Sequence, residues 1–217
     1  MTGFATRIRR ATMVEHREAE NRTFISRLMA GTVPLDGFAE LTAQYLAVYR
    51  ELESAADLMR TDAVAGPFAD PALFRVAALE SDLAHLYGPD WESRVTTLAA
   101  TERYTQRLRE HCRTSPAHFI AHHYVRYLGD LSGGQLIGRS LAATYGLDQA
   151  GTSFYRFEQI PDPRAYKTAY RERLDALDLP EEELAAMVAE AQLAFGFNGA
   201  VFQELGTAYP DDVAAAA

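Results

Sequence analysis

Tyr124-Val125-Arg126-Tyr127-Leu128-Gly129-Asp130-Leu131-Ser132-Gly133-Gly134-Gln135-Leu136 sits inside a stretch whose flanks, from 116 to 145, have the composition of a helix. Glycine is a poor choice there. It has no side chain to pack and loses the most backbone freedom on ordering, about 0.5–1 kcal/mol per position against alanine. Gly129, Gly133 and Gly134 fall within six residues of one another, and Gly138 follows one turn on. Something must offset that cost. Glycine lets a backbone bend and lets a flat partner approach it. Gly129 and Gly133 are four residues apart and so share one helical face. A bare, kinked helix of this kind can cover a planar ligand. It can equally pack close to a neighbouring helix, and spacing alone leaves both readings open.

Outward from this segment the pattern stays helical. Apolar residues recur at three and four, as in Phe38, Leu41, Tyr45, Val48 and Leu52, and again in Ala191, Phe195, Phe202 and Leu205. Asp70-Pro71, Ser115-Pro116 and Asp162-Pro163 each set a capping side chain before a proline that tolerates the first helical turn. Acids at Glu181, Glu182 and Glu183 follow Pro180, where a helix dipole favours them, while Gly88-Pro89 and Gly146 read as helix ends. The predicted helices span about 4–29, 35–62, 71–87, 91–113, 116–145, 163–177 and 180–206. No repeat or linker divides them, so one all-α domain over 1–217 is expected, closed by a short disordered tail after Asp211-Asp212.

Bulk properties narrow the function. A net charge of −9 argues against a nucleic-acid partner, which needs a basic face. No run of about 18 apolar residues stands out, so no membrane span is expected. The N-terminus is basic but lacks the apolar run of a secretory signal. One cysteine, Cys112, permits neither an internal disulfide nor a thiolate metal cage, and fits a reducing, cytoplasmic setting.

In Met13-Val14-Glu15-His16-Arg17-Glu18-Ala19-Glu20, Glu20 lies four residues after His16 and on the same face. A carboxylate there accepts the second N–H of an imidazole and orients the ring as a metal ligand. Arg9 lies two turns earlier on the same side, with Thr12 between. An imidazole with a cation above it could hold an iron porphyrin and a propionate; it could also be a surface pair. His85, His111, His118, His122 and His123 read as surface or capping residues.

The run Arg126 to Gln135 resembles the signature of the haem oxygenase family. Similar segments follow in order: His16-Arg17-Glu18-Ala19-Glu20-Asn21, Tyr45 to Glu53, Ala78 to Leu83 with Tyr87-Gly88-Pro89 and Trp91, Phe154 to Phe157, Tyr166 to Leu174, and Ala194-Phe195 with Asn198. The likeness covers about residues 6–206. It implies a single-domain, multi-helix fold holding haem between the first helix and the kinked glycine-rich distal helix. Haem b would be substrate and cofactor, opened at a meso carbon with O2 and external electrons to biliverdin, CO and Fe(II).

The resemblance also implies roles. His16 would be the iron ligand, with Glu20 orienting it. Gly129 and Gly133 would form the distal face and tilt bound oxygen toward the ring edge. Asp130 would deliver protons through ordered water, with Arg126, Tyr49 and Asn198 behind it. Arg9, Lys167 and Arg171 would meet the propionates, Tyr124 and Thr12 would line the same rim, and Phe195 would contact the haem. The spacing of Lys167 and Arg171 independently puts both cations on one face. Met13 departs from the family pattern, since some members carry a basic residue there, which leaves the meso carbon undetermined. No membrane-anchoring tail is expected, and a monomer is. No flavin or nicotinamide fingerprint is present and one cysteine cannot hold an iron–sulfur cluster, so a ferredoxin with its reductase, or a flavin reductase, would supply electrons.

Three other functions compete. A haem carrier would bind through His16 without turnover, but needs no carboxylate beside Gly129. A di-iron oxidase needs converging Glu-x-x-His pairs, and no acid lies between His118 and Arg126. A cysteine hydrolase would need Cys112 in the pocket, whereas its place before Ser115-Pro116 suits a buried structural thiol.

Overall fold

The computed structural model describes residues 3–18 in full, the backbone of 19 and 20, and residues 23–210. Among them every regular element is helical. The α-helices are α1 (Phe4–Ala11), α2 (Met13–Glu20), α3 (Thr23–Met29), α4 (Leu35–Met59), α5 (Val76–Tyr87), α6 (Ala99–Arg107), α7 (Pro116–His123), α8 (Gln135–Tyr145), α9 (Pro163–Asp175) and α10 (Glu181–Ala208). The expected tail after 210 lies outside the described residues.

The three proline-adjacent caps form as read. Asp70 accepts the N–H of Ala72 at 3.0 Å, Ser115 Oγ that of His118, and Asp162 those of Arg164 and Ala165 at 2.9 Å each. Gly146 ends α8 in the left-handed conformation (φ +63°) and Gly88 ends α5 at φ +86°.

Other boundaries differ from expectation, and each has a local cause. The helix expected over 4–29 is broken at Thr12, which is buried and whose hydroxyl bonds back to the Ile8 carbonyl at 2.9 Å. That back-bond competes with the helical ladder and turns the chain between α1 and α2. Pro71–Leu73 is only a 3-10 turn; α5 starts later, where the Glu53 carboxylate of α4 accepts the N–H groups of Arg75 and Val76. Trp91–Ser93 is likewise a short turn, and α6 begins at Ala99, where Glu204 of α10 accepts the N–H groups of Ala99 (3.2 Å) and Ala100 (2.7 Å). Asp175 accepts from Ala5 at 2.7 Å and so caps α1. These carboxylates sit at positive dipole ends, but they arrive from distant parts of the chain.

One core runs through the molecule, with Tyr49, Tyr104, Tyr127 and Tyr170 fully buried within it. Its spine is α10, which packs most extensively on α7 and also touches α1, α2, α3, α4 and α6. By length and composition alone α10 could cross a membrane, yet its buried stripe includes Glu190 and Asn198, which protein partners satisfy.

The histidine expectation needs correction. His122 and His123 are not surface residues: both are completely buried. Burial pushes His123 down to about 3, and its Nδ1 lies 2.8 Å from the Tyr170 hydroxyl. His122 Nε2 meets Glu190 at 2.8 Å, and Arg107 of α6 grips the same carboxylate through Nε (2.9 Å) and Nη2 (2.6 Å). One carboxylate thus ties α6, α7 and α10 together. Burial pushes the Glu190 carboxyl up, but His122 and Arg107 outweigh it and hold the group well below the usual carboxylate range. A depressed carboxyl stabilises the fold above its unfolded value and loses that contribution as pH falls through the folded value. Glu190→Ala is therefore expected to lower unfolding free energy by about 3 kcal/mol at neutral pH. Urea melts as a function of pH check this: the gap between variant and parent shrinks as the pH drops below 4.5, the ordinary glutamate value.

Candidate functional site

The long helix expected over 116–145 is α7 and α8 joined by two π-helical turns, Tyr124–Leu128 and Asp130–Gly134. A π turn widens the helix and shifts its ladder, which is a recognised cause of bending. The turns fall on the glycine cluster, and the two readings of those glycines separate by position. At Gly138 a Cβ would sit 2.5 Å from Tyr155 Cβ, and at Gly134 it would meet the Tyr155 ring at 3.6 Å. Close packing explains those two. At Gly129 and Gly133 nothing lies within 4 Å of an added Cβ, and both residues are exposed. Their bare backbone faces open space, so close packing does not explain these two.

Behind this strip runs a polar chain. The Tyr49 hydroxyl of α4 donates to Asp130 Oδ2 in a short hydrogen bond and accepts from Arg126 Nε at 3.2 Å. Arg126 Nη1 donates to Asn198 Oδ1 of α10 at 2.7 Å. The guanidinium also lies 4.5 Å from the Tyr45 ring and 4.8 Å from the Tyr49 ring, and is only 6% exposed. Burial pushes the Asp130 carboxyl above its ordinary value, and the Arg126 charge and the Tyr49 hydroxyl only partly oppose it. For Arg126 burial works downward, but the facing Tyr49 and Asp130 more than compensate, so the guanidinium stays charged. The result is a carboxyl shifted toward its protonated form relative to an exposed aspartate, and fixed in orientation beside Gly129.

His16 lies on α2 with its imidazole exposed, and the ring meets Phe195 edge-on (centroids 5.4 Å apart, planes at 72°). Phe195 and Asn198 are three residues apart on α10, so a single turn of that helix touches both His16 and Arg126. Gln192 fixes α2 on α10 by donating to the Ala11 carbonyl (3.0 Å) and to Glu15 (2.8 Å). Of the residues predicted for the rim, Thr12, Arg171 and Arg9 act on the Tyr124 hydroxyl, which burial raises and which they only partly bring back. Arg9 and Arg171 are exposed there. Lys167, expected with them, donates to the Leu131 carbonyl at 3.3 Å and so touches the distal backbone. The side chain of Glu20, read as the partner of His16, lies outside the described residues.

The "Heme oxygenase" family model matches residues 2–204. The chain belongs to the haem oxygenase family. It is 37% identical over 205 residues to heme oxygenase 1 of Nostoc sp., covering 94% of this chain and 86% of that protein. It is 35% identical over 207 residues to the heme oxygenase of Rhodella violacea, covering 95% and 88%. Its fold matches the crystal structure of heme oxygenase-1 from Synechocystis sp. PCC6803 in complex with heme at a TM-score of 0.91 and 32% identity, over 95% of this chain and 94% of that one. The structure of heme oxygenase from Leptospira interrogans matches at 0.89 and 34%, over 94% and 100%.

The competing functions find little support beside a haem oxygenase. Cys112 is buried, and burial pushes its thiol up, the wrong direction for a nucleophile. Among the described residues no three His, Cys, Asp or Glu side chains gather as di-iron ligands must. Sequence reasoning missed the buried cluster of His122, Glu190 and Tyr104. A signal existed: Glu190 falls on the apolar stripe formed by Met187, Ala191 and Ala194, where an acid must have a partner.

The glycines make a paired prediction. Gly138→Ala should destabilise the haem-free protein by about 1–3 kcal/mol, because Tyr155 must move. Gly133→Ala should leave its melting temperature unchanged or raised, yet weaken hemin binding about tenfold. Thermal melts and hemin titrations of both variants test the contrast; a Gly133→Ala protein that binds hemin normally would remove the case for a bare ligand face.

Proposed function

We propose that this chain cleaves haem b at a meso carbon to biliverdin, CO and Fe(II), holding it between His16 and the Gly129–Gly133 strip. The observation that carries the reading is an open, side-chain-free strip next to a half-buried carboxyl held by Tyr49, which Arg126 holds in turn. The residues suit a flat dianion: an exposed imidazole, bare backbone, and two exposed arginines around one tyrosine hydroxyl. Bound haem supplies the iron at which O2 and electrons are used.

The protein's part is then positional. His16 offers a neutral nitrogen ligand; a thiolate there would favour O–O cleavage instead. The bare backbone at Gly129 and Gly133 would let a flat macrocycle approach the distal helix closely. Asp130 would hold and pass a proton at its carboxyl, which the Tyr49 hydroxyl, itself held by Arg126, keeps from turning away. Arg9, Arg171, Lys167 and Tyr124 would hold the propionates and so fix how the ring is rotated in the site. Met13, uncharged and 47% exposed, adds no further anchor. The electrons come from outside, from a ferredoxin with its reductase or a flavin reductase docking on the exposed arginine rim. The protein acts as a monomer in the cytoplasm, where its buried thiol stays reduced.

The test combines hemin, reductant and air. The parent protein should lose its haem absorption band while a bilin band and CO appear. Asp130→Ala should still bind hemin but form biliverdin at least a hundredfold more slowly, within the 10²–10⁴ range of general acid–base assistance. His16→Ala should shift the haem band through loss of its ligand, and added imidazole should restore it. Normal biliverdin formation by Asp130→Ala, or an unchanged band in His16→Ala, refutes the assigned roles; a stable haem band in the parent makes it a carrier.

A further inference from the structure

Arg9 and His16, a proposed propionate anchor and the proposed iron ligand, stand on different helices. Arg9 belongs to α1 and His16 to α2. The helix that would have carried both is interrupted at Thr12, whose backbone (φ −98°, ψ 7°) leaves the α region. The Thr12 hydroxyl turns back to Ile8 and so bonds only on the α1 side. Helix α2 has eight residues. A helix so short is not stable alone and takes its direction from what it packs on. The angle between α1 and α2, and with it the place of the imidazole, is therefore set from outside the two helices.

The contact that spans the interruption comes from α10. Gln192 Nε2 donates to the carbonyl of Ala11, the last residue of α1, at 3.0 Å. It also donates to Glu15 Oε1 of α2 at 2.8 Å. A backbone carbonyl cannot donate, so the amide must turn its NH2 toward this side, and its two hydrogens serve one helix each. One turn along α10, Phe195 meets the His16 ring edge-on. A single face of α10 thus holds the end of α1, the residue before His16, and the imidazole itself. Glu15 adds a second indication. Its other carboxylate oxygen, Oε2, is buried and has no hydrogen-bond partner among the described residues. Where only packing is at stake, a half-satisfied buried acid is worse than an apolar side chain. The bond to Gln192 is what the acid supplies there.

We infer that Gln192 and Glu15 are positioning residues for the iron ligand: the amide bridge locks α2 against α1 and so fixes where the His16 imidazole stands relative to Arg9. His16 and Arg9 would hold one haem at its iron and at a propionate, so their mutual placement governs how the imidazole meets the iron. Neither Gln192 nor Glu15 needs to touch the haem for this. The inference rests on the proposed role of His16, and it names what holds that residue in place.

The experiment uses the full-length protein, first without haem. Gln192→Leu keeps the bulk of the side chain and removes both N–H donors. Amide hydrogen exchange across α2 should quicken about tenfold, while α4 keeps its parent rates. The second readout is the resonance Raman line of the iron–imidazole bond in the ferrous haem complex. That line should shift or broaden in Gln192→Leu and in Glu15→Leu. Glu15→Gln retains an acceptor oxygen and should keep the parent line. The double variant Gln192→Leu/Glu15→Leu should shift no further than Gln192→Leu, as residues sharing one contact do. A merely structural role would lower melting temperature and hemin affinity and leave the line in place. An unmoved line in Gln192→Leu overturns the inference, and so does unaltered exchange across α2. If Gln192→Leu does not fold, the Glu15 pair decides: equal lines in Glu15→Leu and Glu15→Gln overturn it. The ligand reading fails differently, with a parent protein that shows no iron–imidazole line or one that survives His16→Ala.

Discussion

Arg126 is a positive charge taken out of water, and much of the site's architecture follows from keeping it satisfied. An isolated buried cation is unaffordable in a low-dielectric interior, so its donors need acceptors and its charge needs neighbours. The acceptors come from two helices far apart in sequence, Tyr49 on α4 and Asn198 on α10. The ring faces of Tyr45 and Tyr49 cover the guanidinium. Asp130, on the same helical run as Arg126, takes the end of the chain through Tyr49. A carboxyl so placed cannot rotate freely, and its raised pKa is a property of this neighbourhood rather than of aspartate.

The distal helix shows the complementary constraint. Two π turns and exposed glycines give up helix stability where a regular α-helix would have been easier to make. The fold compensates around them: Tyr155 fills the space beside Gly134 and Gly138, and Leu131, Leu128 and Tyr127 bury the opposite face. Packing on Tyr155 accounts for Gly134 and Gly138, so the unexplained departures from local rules are at exposed Gly129 and Gly133, as expected where function sets the sequence.

α10 joins these features. Three of its polar residues tie it to neighbours: Gln192 binds α1 and α2, Glu190 binds α6 and α7, and Asn198 binds Arg126. Each meets a donor or acceptor that no apolar side chain could satisfy. The helix therefore fixes the register between the N-terminal histidine and the distal strip, and an axial slip would leave several buried groups without partners.

Spacing along the chain sets whatever depends on residues a few positions apart. Caps at Asp70, Ser115 and Asp162, the ends at Gly88 and Gly146, the apolar stripes, and the anomaly of Gly129 and Gly133 are all encoded in spacing, because a helix brings residues three and four apart together whatever the rest of the chain does. Resemblance to a family then singled out His16 and Asp130. Tertiary structure decided what depends on the chain's return. Glu53, Glu204 and Asp175 cap helices they do not belong to, and the break at Thr12 turns His16 outward. Only packing distinguished the glycine that faces Tyr155 from those that face open space, and only packing buried His122 against Glu190. A buried polar group must have a partner, which sequence can demand; which partner it has is set by the distances the whole fold creates.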